Sequence, residues 1–407
     1  MVDQTIETMK RKVVKAINSL ETACPNLTPL ISVAPGRINL IGGHTDYNGG
    51  FVLPLAINRY VVVALRPRSD RLMRAVAADT DEKAIMDLSF EDTSLSMMPK
   101  WMGFCVGAWR IISETDAGKS KRLPGFDIAF SGDVPVGAGL SSSAALSVAL
   151  LTAINHSAGL KLEPFILSTL APEIEARYAG VRCGLMDPFT SAMGKAGHVV
   201  FLDNAQRRYQ YFPLPTDKLA VVSIFTGVKH ELASSSYNAI RALCERTAEE
   251  LLGEKGAYLS NVSNDLFRLK HHSLDADQRR IVRHILTENR RVLLVCEGLK
   301  ELAASKTDEP GKVLGRLLYH SHASLKNDYR VSCDELDVIV HLAAGFDGAY
   351  GSRMTGGGFG GATVNLVRPD RVDAFIDVVL DGYKKATGID GTAWRFEPVD
   401  GARIIGA

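Results

Sequence analysis

Hydrophobic and polar positions change period repeatedly along the chain, and the changes mark its elements. Residues 1–23 are amphipathic with charges throughout and predict a surface helix. Apolar runs rich in β-branched residues predict strands at 31–33 and at 60–65 (YVVVAL). Residues 66–100 are mixed and polar, a pattern of hairpins and loops. Large apolar groups return at helical spacing over 101–112, and a strand is expected at 126–130. Over 132–159 a glycine-rich loop feeds an Ala- and Leu-rich helix, opened by serines and closed before Gly159. A helix at 167–177 and a short strand at 197–203 follow. A polar turn, NAQRRYQ, leads to a strand at 219–227. Helical patterns then cover about 235–255, 280–304 and 334–344. Residues 351–367 read as a glycine loop leading into a strand, and the chain closes with a helix at 370–386 and a strand at 393–398. No repeat or low-complexity tail interrupts this order. A soft boundary near 205–220 divides the chain into 1–215 and 216–407.

Composition narrows the function classes. A chain of 407 residues with 46% hydrophobic and 23% charged residues has enough material for about two domains and a large core. The net charge of +1 supplies no electrostatic argument for nucleic acid or for an anionic membrane. Six cysteines are dispersed without a CxxC pair, which suits reduced thiols in a cytoplasmic protein better than a disulfide or zinc framework. The N-terminus lacks the apolar core of a signal peptide, and no run approaches the roughly 20 apolar residues of a membrane span.

Four stretches carry candidate chemistry. APGRINLIGGHTDYNGGFVLPLAI, residues 34–57, breaks from an apolar run into a polar loop holding Arg37, Asn39, His44, Asp46 and Asn48 between glycines. Buried polar groups need partners; a polyhydroxylated ligand would supply them, and a solvated turn is the plain alternative. PVGAGLSSSAAL, residues 135–146, places small residues before three serines at a helix start, where unpaired N–H groups and the positive end of the macrodipole suit phosphate. The plain alternative is a serine-rich cap; no GK[ST] follows, so this is not a Walker A loop. In RCGLMDPFTSAMG, residues 182–194, Asp187 is an isolated acid among apolar neighbours, either a cap or a functional carboxylate. TGGGFGG, residues 355–361, lets backbone approach a ligand or another loop, and the strand-like ATVNLV after it argues against a dinucleotide fingerprint.

Together, in order and spacing, these stretches resemble the three signature motifs of the GHMP small-molecule kinases plus the sugar-binding opener of the galactokinase family. VKHELASSSYNAIR (228–241) and DYRVSCDELD (328–337) extend the likeness over about 30–400. The resemblance implies an α+β fold of two domains, 1–215 binding sugar and ATP and 216–407 forming the C-terminal domain, with the active site in the cleft between them. It implies ATP- and Mg²⁺-dependent phosphorylation of the anomeric hydroxyl of D-galactose by a cytoplasmic enzyme. Its partners would be the sugar and ATP, without nucleic acid or membrane, and its state a monomer or weak dimer. Residue by residue, Gly137, Gly139, Ser141, Ser142 and Ser143 match the family's phosphate loop. Ser143 and Glu175 match its Mg²⁺ ligands, and Trp101 its adenine wall or else plain core. Arg37 and Asp187 match its catalytic pair. Asp187 would accept the C1 hydroxyl proton, as a base or as an electrostatic anchor, and Arg37 would neutralise developing charge. His44, Asp46, Gly184 and Tyr237 match its sugar ligands.

Three positions depart from the family pattern. GEHTDYN becomes GGHTDYN, so Gly43 replaces the glutamate that binds the C6 hydroxyl; MDQF becomes MDPF at Pro188; and Ala362 replaces a cysteine after the third loop. The first removes a carboxylate and is expected to open space at C6. That admits a C6-variant sugar, galacturonate or L-arabinose, as the substrate in place of galactose. Arg182 is a candidate partner for a sugar carboxylate. A non-catalytic sugar sensor on the same fold is a third reading, opposed by the intact serine loop, Arg37 and Asp187.

Overall fold

The computed structural model describes residues 4–20, 27–89, 98–180, 184–229 and 233–406. Helix α1 (Gln4–Asn18) leads into strand β1 (Leu30–Asn39), followed by β2 (Phe51–Val52) and β3 (Pro54–Pro67). A hairpin of β4 (Leu72–Ala77) and β5 (Glu82–Asp87) precedes helices α2 (Lys100–Glu114) and α3 (Asp116–Lys119) and strand β6 (Phe126–Gly132). Helices α4 (Ser142–Ser157), α5 (Pro164–Ile174) and α6 (Met186–Met193) lead to β7 (His198–Asp203) and β8 (Arg208–Pro213).

The second half opens with β9 (Ala220–Lys229) and continues through α7 (Ala233–Leu252), α8 (Asn264–Lys270), α9 (Ala276–Ala304), α10 (Glu309–Ser324) and α11 (Asp334–Ala344). It ends with β10 (Ala349–Thr355), β11 (Gly360–Val367), α12 (Val372–Thr387), β12 (Thr392–Phe396) and β13 (Arg403–Gly406). The architecture is α+β, as expected.

Three sheets organise these elements, in the orders β13-β1-β3-β6-β4-β5, β10-β11-β9-β12 and β2-β7-β8. The first is antiparallel except where β4 meets β6. Its unbroken apolar run at 60–65 follows from burial on both faces. Tyr60, Val62 and Ala64 pack under α1 on Ile6, Met9, Val13 and Ile17, while Val61, Val63 and Leu65 face the central core. The same core takes in Val292, Val295 and Leu299 of α9, Leu314 of α10 and Val364 of β11, so both halves of the chain share one apolar interior. Among the described residues no helix is long and apolar enough to cross a membrane.

Several elements differ from the pattern-based expectation. The 351–367 loop is a hairpin with strands on both sides, β10 pairing with β11 through Thr355 and Ala362. Part of the expected polar turn before 210 is strand β8. Helix α10 escapes the pattern because EPGKVLGRLLYHSHAS carries a proline and two glycines. Gly315 belongs there for packing: a Cβ on it would fall 1.6 Å from the Tyr350 carbonyl oxygen of β10. Strand β13 comes from the end of the chain yet pairs with β1, so a division at 215/216 leaves it in the sheet of the first half.

Candidate active site

Strand β1 carries Arg37 next to a register shift between Pro35 and Arg37. The side chain is almost wholly buried. Its Nε donates to Asp187 Oδ1 at 2.7 Å and its Nη2 to Asp187 Oδ2, a two-point fork, while Nη1 donates to the Gly139 carbonyl. The Arg37 N–H donates to the Leu140 carbonyl at 3.1 Å, tying strand to loop. Asp187 lies in the first turn of α6, and the Ser141 hydroxyl donates to it as well. One carboxylate therefore joins the opener, the serine loop and α6. Pro188 falls in that same first turn, where a backbone N–H has no intrahelical partner, so the substitution costs the helix no bond.

Gly137 and Gly139 hold φ of +83° and +72°, the left-handed region that glycine adopts without strain, and Ser141 caps α4 at +60°. The sixteen residues of α4 aim their N-terminus and Ser142 and Ser143 out of this loop. Gly139 and Gly356 come together: a Cβ on the first would stand 3.7 Å from the Cα of the second, so the TGGGFGG turn closes over the serine loop. The Ser143 hydroxyl donates to Glu175 Oε2 at 3.3 Å. Glu175 is 3% exposed and opens a π-helical turn, Glu175–Ala179, that continues α5. Two hard oxygen donors thus stand at the helix start. Among the described residues no cluster of three or more His, Cys, Asp or Glu side chains forms a metal site. A Mg²⁺ ion asks only for one or two protein oxygens when phosphates and water supply the rest, and this pair fits that demand.

The polar loop of the opener makes a second cluster. Asp46 starts a short 3₁₀ turn, Asp46–Asn48. A Cβ on Gly184 would fall 2.0 Å from Asp46 Oδ2, so residue 184 must be glycine for the carboxylate to rest there. Burial, then the neighbouring Asp187 charge, push the Asp46 carboxyl up to about 6. His44 sits at φ +62° with Nδ1 2.9 Å from the Tyr47 hydroxyl, and its buried Nε2 has no hydrogen-bond partner. Its ring contacts Tyr237 at 5.8 Å and Tyr329 at 4.9 Å between centroids. Burial, with His284 and Arg353 nearby, lowers its pKa to about 3, so the imidazole is neutral. Tyr47 and Tyr329 hydroxyls meet at 2.9 Å, and Cys244 Sγ lies 3.1 Å from the latter.

Trp101 stands in the first turn of α2, its indole N–H donating to Glu82 Oε2 at 2.6 Å and its ring edge-on to Phe130. Arg182 lies outside the described residues.

Sequence reasoning missed what supports the opener loop. Glu288 of α9 is fully buried; its Oε1 accepts from the N–H groups of Gly42 and Gly43 and from the Ser321 hydroxyl, and its Oε2 from Arg291 Nε at 2.7 Å. Burial alone would raise this carboxyl; Arg291, His284, Arg353 and Ser321 bring it down to about 2. His284 Nε2 lies 2.9 Å from the Gly43 carbonyl, and Arg353 of β10 donates to the Asn39 and Leu40 carbonyls. A signal was present in α9, where Ile281, Ile285, Glu288, Val292 and Val295 form one buried stripe with an acid inside it. The expected open space beside Gly43 is absent. A Cβ there would meet Arg353 Nη2 at 2.5 Å and Leu325 methyls at 3.2 and 3.3 Å.

Comparison with known proteins finds the same family along most of the chain. A galactokinase galactose-binding signature matches residues 23–67, the GHMP kinases N terminal domain 104–195, and the GHMP kinases C terminal domain 299–385. A galactokinase of Chloroflexus aurantiacus is 40% identical over 361 residues, covering 88% of this chain and 89% of that one. A galactokinase of Thermotoga petrophila is 38% identical over 372 residues, 91% and 99% of the two chains. The crystal structure of Lactococcus lactis galactokinase complexed with galactose superposes with a TM-score of 0.85 at 26% identity, over 99% and 100% of the chains. Methanococcus jannaschii mevalonate kinase shares the fold at a TM-score of 0.61 and 16% identity, over 94% and 100%.

Proposed function

The chain belongs to the galactokinase family of the GHMP kinases and is a sugar kinase, and from that premise we propose that it moves the γ-phosphoryl group of ATP to the anomeric hydroxyl of a galacto-configured sugar, with D-galactose as the reference substrate and α-D-galactose 1-phosphate as its product. The observation that carries this reading is the Arg37–Asp187 fork, held by Ser141 at the mouth of the α4 helix start. Asp187 receives the proton of the C1 hydroxyl as that oxygen bonds to phosphorus and the bond to the ADP oxygen breaks. The products are sugar 1-phosphate, ADP and a proton. Arg37 orients the carboxylate and offsets charge on the transferring group. Because Ser141 already donates to Asp187, that serine belongs to the acceptor side of the reaction as much as to the phosphate loop.

Asp46 accepts from two neighbouring sugar hydroxyls, the free Nε2 of neutral His44 serves another, Gly184 gives backbone clearance, and Tyr237 reaches the axial C4 hydroxyl. Gly137, Gly139, Ser142 and Ser143 cradle phosphate, with Trp101 beside the base. Ser143 and Glu175 would hold Mg²⁺, which supplies charge neutralisation between phosphate oxygens. Dispersed cysteines support a cytoplasmic enzyme, and the near-zero charge one that acts apart from nucleic acid and anionic membrane; a monomer or weak dimer is the state proposed for it.

The experiment is Asp187→Ala assayed for ADP release and sugar phosphate. Turnover should vanish while galactose binding by calorimetry stays within about 1 kcal/mol of the parent. Ordinary turnover in this variant would refute the assignment.

A further inference from the structure

Ser141 stands at the cap position of α4 and does not act as a cap. Its carbonyl takes the first helical N–H, from Ala145 at 3.1 Å, but its side chain accepts from no N–H of the first turn. A serine at this place ordinarily stabilises its helix by doing so. Its backbone holds φ +60° and ψ +51°, a left-handed conformation that is strained for any residue with a Cβ. One residue thus gives up both a cap and a relaxed backbone, and what remains is the direction of its hydroxyl.

That hydroxyl donates to Asp187 Oδ2, which also accepts from Arg37 Nη2, while Oδ1 accepts from Arg37 Nε. A carboxylate oxygen has two lone pairs, so Oδ2 is fully engaged and takes no new hydroxyl without losing Arg37 or Ser141. The Ser141 oxygen differs. Among the described residues no group donates to it, and Ser141, like Ser142 and Ser143 after it, is only half-buried. Its proton therefore lies on the carboxylate while its lone pairs remain open. Oδ1 keeps one free lone pair, and direct transfer there is the alternative that the experiment separates.

In-line transfer places the attacking oxygen between the γ-phosphorus, cradled at the start of α4, and the group that takes its proton. Ser141 spans those two places: its backbone opens α4 and its side chain ends on Asp187. We propose that Ser141 is a catalytic residue that relays the proton of the C1 hydroxyl to Asp187. This deepens the anomeric-kinase reading and rests on it. The C1 O–H bond breaks as that oxygen bonds to the γ-phosphorus, and the phosphorus–oxygen bond to ADP breaks. The C1 proton passes to Ser141 Oγ, whose own proton moves to Asp187 Oδ2. The serine ends with its hydroxyl restored, and Asp187 ends as a carboxylic acid that releases its proton to water. Arg37 on both oxygens holds the carboxyl group in place throughout.

The test is Ser141→Gly, because glycine adopts this backbone without strain and removes only the hydroxymethyl group. Single-turnover transfer from ATP to D-galactose is timed by quenched flow in the parent, in Ser141→Gly and in Asp187→Ala. ATP affinity is measured by calorimetry, and the parent rate is followed against the deuterium fraction of the solvent. Two protons in flight bow that plot, whereas one leaves it straight. The parent plot should be bowed. Ser141→Gly should transfer at least about tenfold more slowly, general-base catalysis being worth about 10²–10⁴. Its ATP affinity should stay within about threefold of the parent, which a phosphate-binding role alone would not allow. A smaller loss of rate, a straight plot in the parent, or a loss of ATP affinity equal to the loss of rate overturns the inference. An inactive Asp187→Ala then leaves the kinase reading standing. Ordinary transfer in Asp187→Ala overturns the inference and the reading beneath it together.

Discussion

Asp46 sits in an environment that moves it well away from what its type suggests. Its carboxyl rises from 3.8 to about 6 through burial first and then through Asp187, with Arg37 and Arg241 opposing. A carboxylate that accepts two hydroxyls must be ionised, so sugar affinity should fall as pH drops through about 6; kcat/KM for the sugar measured from pH 5 to 8 checks this. Stability runs the other way. The folded carboxyl holds its proton to higher pH than the unfolded one, so its contribution is most favourable below pH 3.8 and is lost as pH rises to about 6. Asp46→Asn removes the buried charge. At pH 8 it should raise Tm while weakening sugar binding about 10- to 100-fold, the scale of a hydrogen bond to a charged group. Unaltered binding in that variant would take Asp46 out of the sugar site. His44 behaves differently: with its pKa at about 3 it stays neutral across the same range and adds no step to the profile.

Among the elements, α9 does work that its amphipathic pattern conceals. It is a surface-to-core helix whose apolar stripe is interrupted by Glu288, and that acid closes the opener loop by accepting two of its backbone N–H groups. Glu288→Gln keeps the shape but leaves Arg291 and Arg353 without a buried counter-charge. A cost of about 3–5 kcal/mol in urea unfolding is expected, with a raised sugar KM, because the loop that carries His44 and Asp46 loses its anchor. Near-parental stability would mean that Glu288 is dispensable to the loop. The Glu288 carboxyl is depressed, so its stabilisation is present above its unfolded value near 4.5 and fades as pH falls toward about 2. Two π-helical turns, Glu175–Ala179 and Leu325–Tyr329, end α5 and α10. Each carries a group that touches the candidate site, Glu175 against Ser143 in one and Tyr329 against Tyr47 in the other, and such turns are frequent at functional sites.

For the whole molecule, the shared core sets the expectation. Leu53 and Leu55 of the first half lie in one apolar cluster with Val292, Leu314 and Val364 of the second, and β13 returns to pair with β1. Calorimetry should therefore record one cooperative unfolding transition, and removal of residues 403–407 should lower its Tm. Two resolved transitions would contradict a common interior.

Much of this was legible in the chain itself. Short-range chemistry is written locally, so YVVVAL read as a strand, SSSAAL as a helix start and MDPF as an isolated acid in apolar surroundings. The motif order was enough to place Arg37 with Asp187 and Ser143 with Glu175. Gly43 was visible as a missing carboxylate, but its consequence was misread as empty space. What fills that space is Arg353, more than three hundred residues away, delivered by a hairpin whose glycines disguised its first strand. Burial and pairing are properties of neighbours in space. The identities of the proposed reacting groups therefore came from the sequence, whereas only the tertiary structure decided which charges they face.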